Sequence, residues 1–354
     1  RKLDLVNRTP LAAGLLVADP QTGGPRLGIL VAKATFAVVD GTARLDGETP
    51  YGILDQDEET PLGLLPRDDL PREDEAFEVV LLGRAHAPAG QPALRMTVRL
   101  QVGSDRRELV VWGDRTWQGR GKQARPGEPA AFTAMPLTWD RAFGGRCDVE
   151  VDREAFVTLD DPRNPAGRGF DPEDRARHLG KLLKAPKGYP RFSDERPLAN
   201  LEDPARPVRR WDDAPRPLCW ATVPMTSFLH VERGVGPVGA PERPQLDLTP
   251  GIHHRAHPDL VLTRPPAGAP VRVDGVRPDG PWEFALPRLR VLVDYVLGAA
   301  RGHDELMPHL LLLLPEERRA VMVWRRVFEY PFRSGEERSL RLRLREPVTA
   351  LHAF

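Results

Sequence analysis

Three histidines crowd the segment GIHHRAHPDL, and their spacing is the nearest approach to a metal site in the sequence. His253 and His257 stand four positions apart, which on a helix would place both imidazoles on one face, where they could bind zinc. A zinc hydrolase helix of that kind carries Glu directly after its first His, but His254 occupies that position. Pro258 also disfavours helical backbone at His257. We therefore expect no metal site, and a metal-dependent hydrolase that uses His253 and His257 is kept as an alternative function.

Nucleophilic catalysis has little support in the sequence. Cys147 and Cys219 are the two cysteines, and neither lies in a pattern that pairs it with a histidine. No G-x-S-x-G elbow is found, and the glycines match neither phosphate-binding nor dinucleotide-binding patterns. Two cysteines are also too few for a disulfide framework. The sequence therefore predicts no catalytic residue, no metal ligand and no cofactor.

Aromatic side chains offer a different chemistry, because an exposed ring can stack on a sugar or anchor a protein partner. Trp112 and Trp117 flank the turn-like GDRT, and Trp282 alternates with Phe284 and Leu286. Spacing at period two is typical of core-facing strand residues, so Trp282 is expected inside the protein. A carbohydrate-binding β-sandwich that uses Trp112, Trp117 or Trp282 is a further alternative.

The segment MPLTWDRAFGG combines aromatic, charged and glycine residues in one short stretch. We interpret Trp139 and Phe143 as anchors of a tight corner, with Arg141 bonding backbone or a carboxylate. The alternative is a lip that contacts a partner directly. Glycine allows left-handed backbone and close approach, so the glycines here and in the later NPAGRGF segment are expected in turns. The turn glycines are Gly144, Gly145, Gly167 and Gly169.

Strands must position these residues. Residues 94–102 alternate apolar and polar side chains, which is typical of a half-buried antiparallel strand. Leu340, Leu342 and Leu344 alternate with arginines in the same way, and two apolar runs flank PEERRA as in a hairpin. The other predicted strand segments are 28–40, 77–83, 108–113, 310–314 and 321–324.

The middle of the chain differs, because residues 116–217 are dense in Pro, Gly, Arg and Asp. Asp171 and Pro172 are typical of the first residues of a helix there. We predict a mainly β fold of antiparallel, sandwich-like sheets in two halves, residues 1–115 and 218–354. A long irregular insertion, residues 116–217 with a short helix, joins them into one integrated domain.

Charge composition excludes some classes of partner. Lys and Arg together number 51, as do Asp and Glu, so no net charge draws the chain to nucleic acid or to an anionic membrane. The apolar run at residues 11–18 is too short to span a bilayer. We therefore expect a cytoplasmic protein that binds neither nucleic acid nor membrane.

Segments spread along the chain resemble the bacterial family called domain of unknown function 2169. They are, in order, VNRTPLAAG, VAKATFAV, GRAHAPAGQPA, VVWGDRTW, FTAMPLTWDRAFGG, NPAGRGF, LANLEDP, AHPDL, WEFALPRLR and DELMPHLLLLLPEERRAVMVWRR. Their collinear order over nearly the whole chain makes the resemblance specific. It implies a non-enzymatic adaptor or chaperone that binds a type VI secretion toxin effector and helps load it onto a spike protein of the VgrG or PAAR type. The resemblance supplies no catalytic residues.

We expect that partner to bind the irregular region from Trp117 to Trp211 more than the alternating strands. The strands must turn their apolar faces to the core, whereas the middle region offers aromatic residues among many arginines. These residue types are enriched where interfaces concentrate binding energy. The alternative is that the aromatic residues form a buried lid over the two β halves. The predicted partner-binding residues are Trp139, Arg141, Phe143, Phe170, Tyr189 and Trp211.

Overall fold

The computed structural model describes residues 3–18, 26–70, 75–119, 123–152, 155–170, 196–210, 213–229, 253–330 and 336–345. Within that part the fold is mainly β, as the sequence predicts. Strands in the first half of the chain are β1 Asp4–Asn7, β2 Ala12–Ala18, β3 Arg26–Val39, β4 Thr42–Leu45, β5 Glu58–Thr60, β6 Gly63–Leu65, β7 Ala76–Leu81, β8 Arg84–His86, β9 Arg95–Val102, β10 Asp105–Trp112, β11 Trp117–Gln118, β12 Arg125–Pro126, β13 Ala134–Pro136, β14 Phe143–Gly144, β15 Arg146–Asp152, β16 Ala155–Asp160 and β17 Arg168–Gly169. The later strands are β18 Leu201–Glu202, β19 Val261–Thr263, β20 Pro270–Asp274, β21 Trp282–Ala285, β22 Arg290–Leu297, β23 Ala300–Leu314, β24 Arg319–Tyr330 and β25 Arg338–Arg345.

Helical structure is short in the described residues. The 3-10 helices are Pro88–Gly90, Trp139–Arg141 and Pro258–Leu260. No helix in this part of the chain has the length and apolar character that a membrane crossing requires. The helix predicted to begin near Asp171 lies outside the described residues.

The strands predicted from periodicity are confirmed, with one difference at an end. In β9 the exposed and buried positions alternate, with Met96, Val98 and Leu100 buried. Leu94 was expected on the same face but is 51 % exposed. The chain bends at Leu94 before β9 begins, so this residue does not share the strand's alternation.

The largest sheet has ten strands and combines the two ends of the chain. Its main order is β1-β25-β22-β23-β24-β3-β2, with β4 beside β3, β7 beside β23 and β19 beside β7. Pairing is antiparallel except between β1 and β25 and between β7 and β23. The longest pairing joins β3 to β24, from Arg26 beside Tyr330 to Ala37 beside Arg319. The predicted hairpin around PEERRA is the β23–β24 connection.

A second sheet has five strands in the order β18-β10-β9-β20-β21. It also takes strands from the first third, the middle and the last third of the chain. Each large sheet therefore contains strands from both 1–115 and 218–354, rather than one sheet forming in each half. The side chains of the two sheets meet in one hydrophobic cluster, which includes Ile29, Val98 and Trp282.

Buried ions attach one long loop to the ten-stranded sheet. Lys33 on β3 donates to Asp68 at 2.7 Å, and the Nε of Arg325 on β24 donates to the Asp68 carbonyl oxygen at 3.0 Å. Burial lowers the pKa of Lys33 from its usual value, while the charge of Asp68 opposes that shift. Removing one member would leave an uncompensated buried charge, which is strongly destabilising. The loop between β6 and β7 is therefore held by charge as well as by apolar contact.

Candidate functional site

A tight backbone crossing forms where residues 139–145 meet residues 164–169, and we name these residues the corner. Within it β14 runs parallel to β17. The backbone φ is +141° at Gly144 and +125° at Gly145, a region that side chains with a Cβ rarely adopt. A Cβ added to Gly144 would lie 2.2 Å from the carbonyl oxygen of Asn164. The crossing can therefore be this close only because glycine stands at that position.

Asn164 bonds the two sides of the corner together. Its Nδ2 donates to the carbonyl oxygens of Trp139 at 2.8 Å and Phe143 at 2.9 Å. The backbone carbonyl oxygen of Asn164 accepts a hydrogen bond from the backbone N–H of Gly145 at 2.8 Å. Asn164 is only 2 % exposed, so water cannot readily replace these bonds. The side chain therefore fixes the path of the backbone around the glycines.

The tryptophan of the corner points into the core. Trp139 is 7 % exposed, and its Nε1–H donates to the carbonyl oxygen of Thr222 at 2.8 Å. Its ring stacks on His257, with 6.5 Å between the ring centroids. Phe143 is buried as well, at 4 % exposed. These positions match the interpretation of both rings as structural anchors.

Four charged side chains cover the outside of the corner. Arg141 pairs with Asp114 at 2.7 Å, and Arg168 pairs with Asp140 at 3.4 Å and with Asp114 at 3.6 Å. Asp114 and Asp140 are 64 % and 57 % exposed, whereas both arginines are about a quarter exposed. Burial lowers the pKa of Arg168, as does the neighbouring charge of Arg141. The guanidiniums are thus held against the protein while the carboxylates face outward.

The tryptophans considered as sugar platforms are buried or in contact with other side chains of the protein. Trp117 and Trp282 are 3 % and 4 % exposed. Trp112 is half-buried, with the guanidiniums of Arg95 and Arg115 lying 5.2 and 4.3 Å from its ring. Its Nε1–H donates to Glu202 at 2.9 Å. Trp112 thus already contacts two arginines and a carboxylate of the protein.

The histidine segment does not form the helical pair that a zinc site would need. The backbone of His257 is extended, with φ −55° and ψ 144°. Its Nδ1 accepts from the backbone N–H of Asp259 at 3.1 Å, and its Nε2 donates to the carbonyl oxygen of Pro217 at 3.0 Å. Both ring nitrogens are therefore engaged. Among the described residues, no group of three His, Cys, Asp or Glu side chains is arranged to hold a metal ion.

Cys219 is a poor nucleophile in this setting. It is fully buried, and burial raises the pKa of its thiol to about 12. Its sulfur lies 3.3 Å from the carbonyl oxygen of Leu137, to which the S–H donates. A thiol with that pKa carries almost no thiolate at neutral pH. The backbone of Cys147 lies in β15, and its side chain is outside what the structure describes.

A polar depression of about 270 Å³ adjoins the corner through His257, and we name it the charged cleft. His257 connects the two places, since it stacks on Trp139 and also lines the cleft. The lining residues are Asp203, Arg206, Arg216, Leu218, His257 and Asp259.

A family model described as an uncharacterized protein conserved in bacteria, DUF2169, matches residues 24–325. The chain belongs to the DUF2169 family. No curated protein and no solved structure gives a match. The family resemblance stated from the sequence is therefore confirmed.

Several segments that carry the DUF2169 resemblance meet at the corner and the charged cleft. They are VVWGDRTW with Asp114, FTAMPLTWDRAFGG with Arg141, NPAGRGF with Asn164 and Arg168, LANLEDP with Asn200 and Asp203, and AHPDL with His257 and Asp259. Asn200 joins two of them, because its Nδ2 donates to Asp114 at 3.1 Å and its backbone N–H donates to the carbonyl oxygen of Arg141 at 2.8 Å. Segments far apart in this DUF2169 chain are thus brought together around the corner and the charged cleft.

The predicted partner-binding residues are divided by the structure. Arg141 lies on the surface of the corner, whereas Trp139 and Phe143 lie beneath it. Phe170 is half-buried at the end of the corner, where its backbone N–H donates to the carbonyl oxygen of Gly144 at 2.9 Å. Tyr189 and Trp211 lie outside the described residues. The glycines predicted in turns, Gly144, Gly145, Gly167 and Gly169, all lie in the corner.

Other residues of this surface were missed by the sequence reasoning. Asp114, Arg168, Asn200 and Arg206 were assigned no role, because each is an ordinary surface residue type outside any catalytic motif. The available signal was their position: all but Arg206 lie in segments that carry the family resemblance.

Proposed function

We propose that this chain is a non-enzymatic adaptor that binds a type VI secretion toxin effector and helps load it onto the VgrG- or PAAR-type spike. The first support is membership of the family, because the resemblance implies that role. The second is the chemistry of the surface just described. His257 and Cys219, the side chains best suited to catalysis there, are engaged in bonds that fix the fold.

The observation that carries the proposal is the convergence of family segments on the preorganised corner, whose outer face is charged. The glycines and Asn164 fix the backbone of the corner, and Asp114 and Asp140 fix its arginines. A surface that is already ordered loses little conformational freedom when it binds. Such a surface suits recognition of another protein.

The partner contacts the charged groups on the outside of the corner, not the buried rings beneath them. The ion pairs use Oδ1 of Asp114 and Oδ2 of Asp140, so each carboxylate keeps a second oxygen that can accept a bond. Carboxylates accept strong hydrogen bonds from Arg, Lys and backbone N–H groups. We therefore expect basic or N–H-donating groups of the partner to face Asp114 and Asp140.

Co-purification of the tagged chain with the effector and spike encoded beside it tests the proposal. We expect both proteins to be recovered and identified by mass spectrometry. The double substitution Asp114→Lys and Asp140→Lys should reduce recovery of the effector or the spike by about tenfold or more, because it reverses both exposed charges. Recovery of neither protein by the wild-type chain would contradict the proposal.

Asp279→Lys is the matched control. Asp279 is also a carboxylate paired with an arginine, Arg277, and it is 56 % exposed, but it lies between β20 and β21 and outside the corner. Its substitution should leave recovery unchanged. Melting temperatures of all variants separate lost binding from lost folding.

A further inference from the structure

The size and lining of the charged cleft suit a small polar group. Its volume of about 270 Å³ is below the range of roughly 300–1,000 Å³ for pockets that take drug-sized molecules. Leu218 is its one apolar lining residue, and the rest are charged or imidazole side chains. The cleft therefore suits a single charged group or a short side chain, not an extended apolar ligand.

The floor of the cleft is held in place by bonds within the protein. His257 is fixed by Pro217 and by the backbone of Asp259. Arg216 forms an ion pair with Asp259, and the Nε of Arg107 donates to the Asp259 carbonyl oxygen at 2.8 Å. These groups need no rearrangement before a ligand enters.

Two arginines, Arg216 and Arg107, lie against Asp259 at this floor. Burial would raise the pKa of Asp259, yet its pKa lies below the usual value. The hydrogen bond from Arg216 and the charges of Arg216 and Arg107 act against the effect of burial. The Asp259 carboxylate is therefore ionised and paired with Arg216, which offsets part of its repulsion of an anion.

Arg206 contributes a guanidinium that no acid of the described residues pairs with. It is exposed, and its backbone N–H donates to the carbonyl oxygen of Asp203 at 3.0 Å, which fixes the turn that carries it. Asp203 in turn accepts from the backbone N–H of Ala205 at 2.8 Å. The turn therefore brings a guanidinium to the rim of the cleft without supplying it with a counter-ion.

We propose that the charged cleft binds an anionic oxygen group, a carboxylate or a phosphate, between the guanidiniums of Arg206 and Arg216. Guanidinium groups match both anions through paired N–H donors. A hydroxyl or N–H on the same ligand can donate to Asp203, the other charged residue of the rim. The cleft thus favours an anion that carries a neighbouring donor over a bare halide or sulfate.

Isothermal titration of the full chain with two probes tests this site. The probes are inorganic phosphate and a short glutamate-rich peptide with both termini blocked. We expect at least one of them to bind, and Arg206→Ala should raise its Kd by about tenfold or more, since a charge-assisted hydrogen bond is lost. Arg206 makes no ion pair within the described residues, so this variant should keep the wild-type melting temperature.

Arg209→Ala is the matched control, because Arg209 is an exposed arginine of the same segment that does not line the cleft. Its Kd should equal that of the wild type. Binding of the peptide alone would identify a carboxylate of a protein partner, and binding of phosphate alone would identify a small phosphate-bearing molecule. No binding of either probe, or a Kd unchanged by Arg206→Ala, would overturn the inference. Since no effector or spike is present, the result is independent of the co-purification.

Discussion

In the ten-stranded sheet, Ile29 lies among apolar side chains that could be exchanged for others of similar volume, whereas in the corner Gly144 lies against backbone. Ile29 is 2 % exposed and is held by non-directional apolar contact. At Gly144 only glycine fits, because an added Cβ would lie 2.2 Å from the carbonyl oxygen of Asn164. Both positions are fully packed. Around Ile29, however, neighbouring side chains can shift to accommodate a change in volume, whereas the backbone beside Gly144 cannot.

The two regions differ in how they respond when a substitution removes or adds one carbon atom. Removing a methylene from a core side chain leaves a small cavity that neighbouring side chains partly fill. Adding a methyl group to a glycine that touches backbone requires the two chain segments themselves to separate. The corner should therefore be the more demanding region for substitution, although it buries less apolar surface than the sheet.

Gly144→Ala should destabilise the protein more than any other substitution proposed here. The added Cβ meets the Asn164 carbonyl, and φ at +141° is strained for alanine, so we expect a loss of about 4 kcal/mol or more in the free energy of unfolding. Urea denaturation followed by tryptophan fluorescence measures it.

Two controls accompany that variant. Gly47→Ala should change the free energy of unfolding by less than about 0.5 kcal/mol, because nothing lies within 4 Å of its added Cβ. Ile29→Val removes one methylene from the sheet and should cost about 1 kcal/mol. A cost at Gly144 no larger than the cost at Ile29 would refute the comparison.

Asn164→Ala should have the next largest effect. It removes both donors from the carbonyl oxygens of Trp139 and Phe143 at a buried position, for a loss of about 3 kcal/mol. Asn7→Ala removes a similar bond, from Nδ2 to the carbonyl oxygen of Leu11 at 2.8 Å, and two bonds that its Oδ1 accepts from Thr9, all at an exposed position. That variant should lose less than about 1 kcal/mol, so equal losses would show that the corner is no more constrained than a surface turn.

The sheet has a pH dependence of its own, which gives a smaller effect. Burial in β23, reinforced by the charges of Arg325 and Arg264, lowers the pKa of His309 to about 3 from its ordinary value of 6.5. Because the neutral form is favoured in the folded state, its stabilising contribution is complete above pH 6.5 and declines as the pH falls toward 3. Each pH unit in that window costs about 1.4 kcal/mol.

His309→Gln isolates this contribution, since glutamine does not titrate. Between pH 7 and pH 5 the wild type should lose about 2 kcal/mol more of its free energy of unfolding than the variant. Chemical denaturation at the two pH values measures the difference. Parallel losses in both proteins would mean that His309 is protonated in the folded state near its ordinary pKa.

Periodicity predicted the strands well because the strands depend on local alternation. Met96, Val98 and Leu100 are buried at every second position, and the β23–β24 hairpin follows from two apolar runs around a polar turn. Periodicity could not predict which strands pair with each other. The pairing of β7 with β23 and of β1 with β25 depends on residues far apart in the chain.

The site was predicted in part, for a related reason. The glycines of the corner were recognisable as turn residues, because their conformational freedom is a property of the residue itself. The bonds of Asn164 and the pairing of Arg216 with Asp259 arise only when separate segments meet. Aromatic residues drew attention as binding anchors, but Trp139 and Phe143 are buried, and burial is set by the tertiary fold rather than by residue type.

The pairing of β3 with β24 has a consequence for synthesis of the protein. Val31 lies beside Arg325, so an early apolar strand acquires this neighbour only after the long segment between β3 and β24 has left the ribosome. Until then one edge of β3 has no partner strand, and exposed strand edges of that kind are prone to aggregate. Pairings so distant in sequence also form slowly, because loop closure must precede the contacts that stabilise it. We therefore expect protease resistance during translation to arise late and abruptly, once β24 has emerged, instead of growing in steps from the N-terminal end.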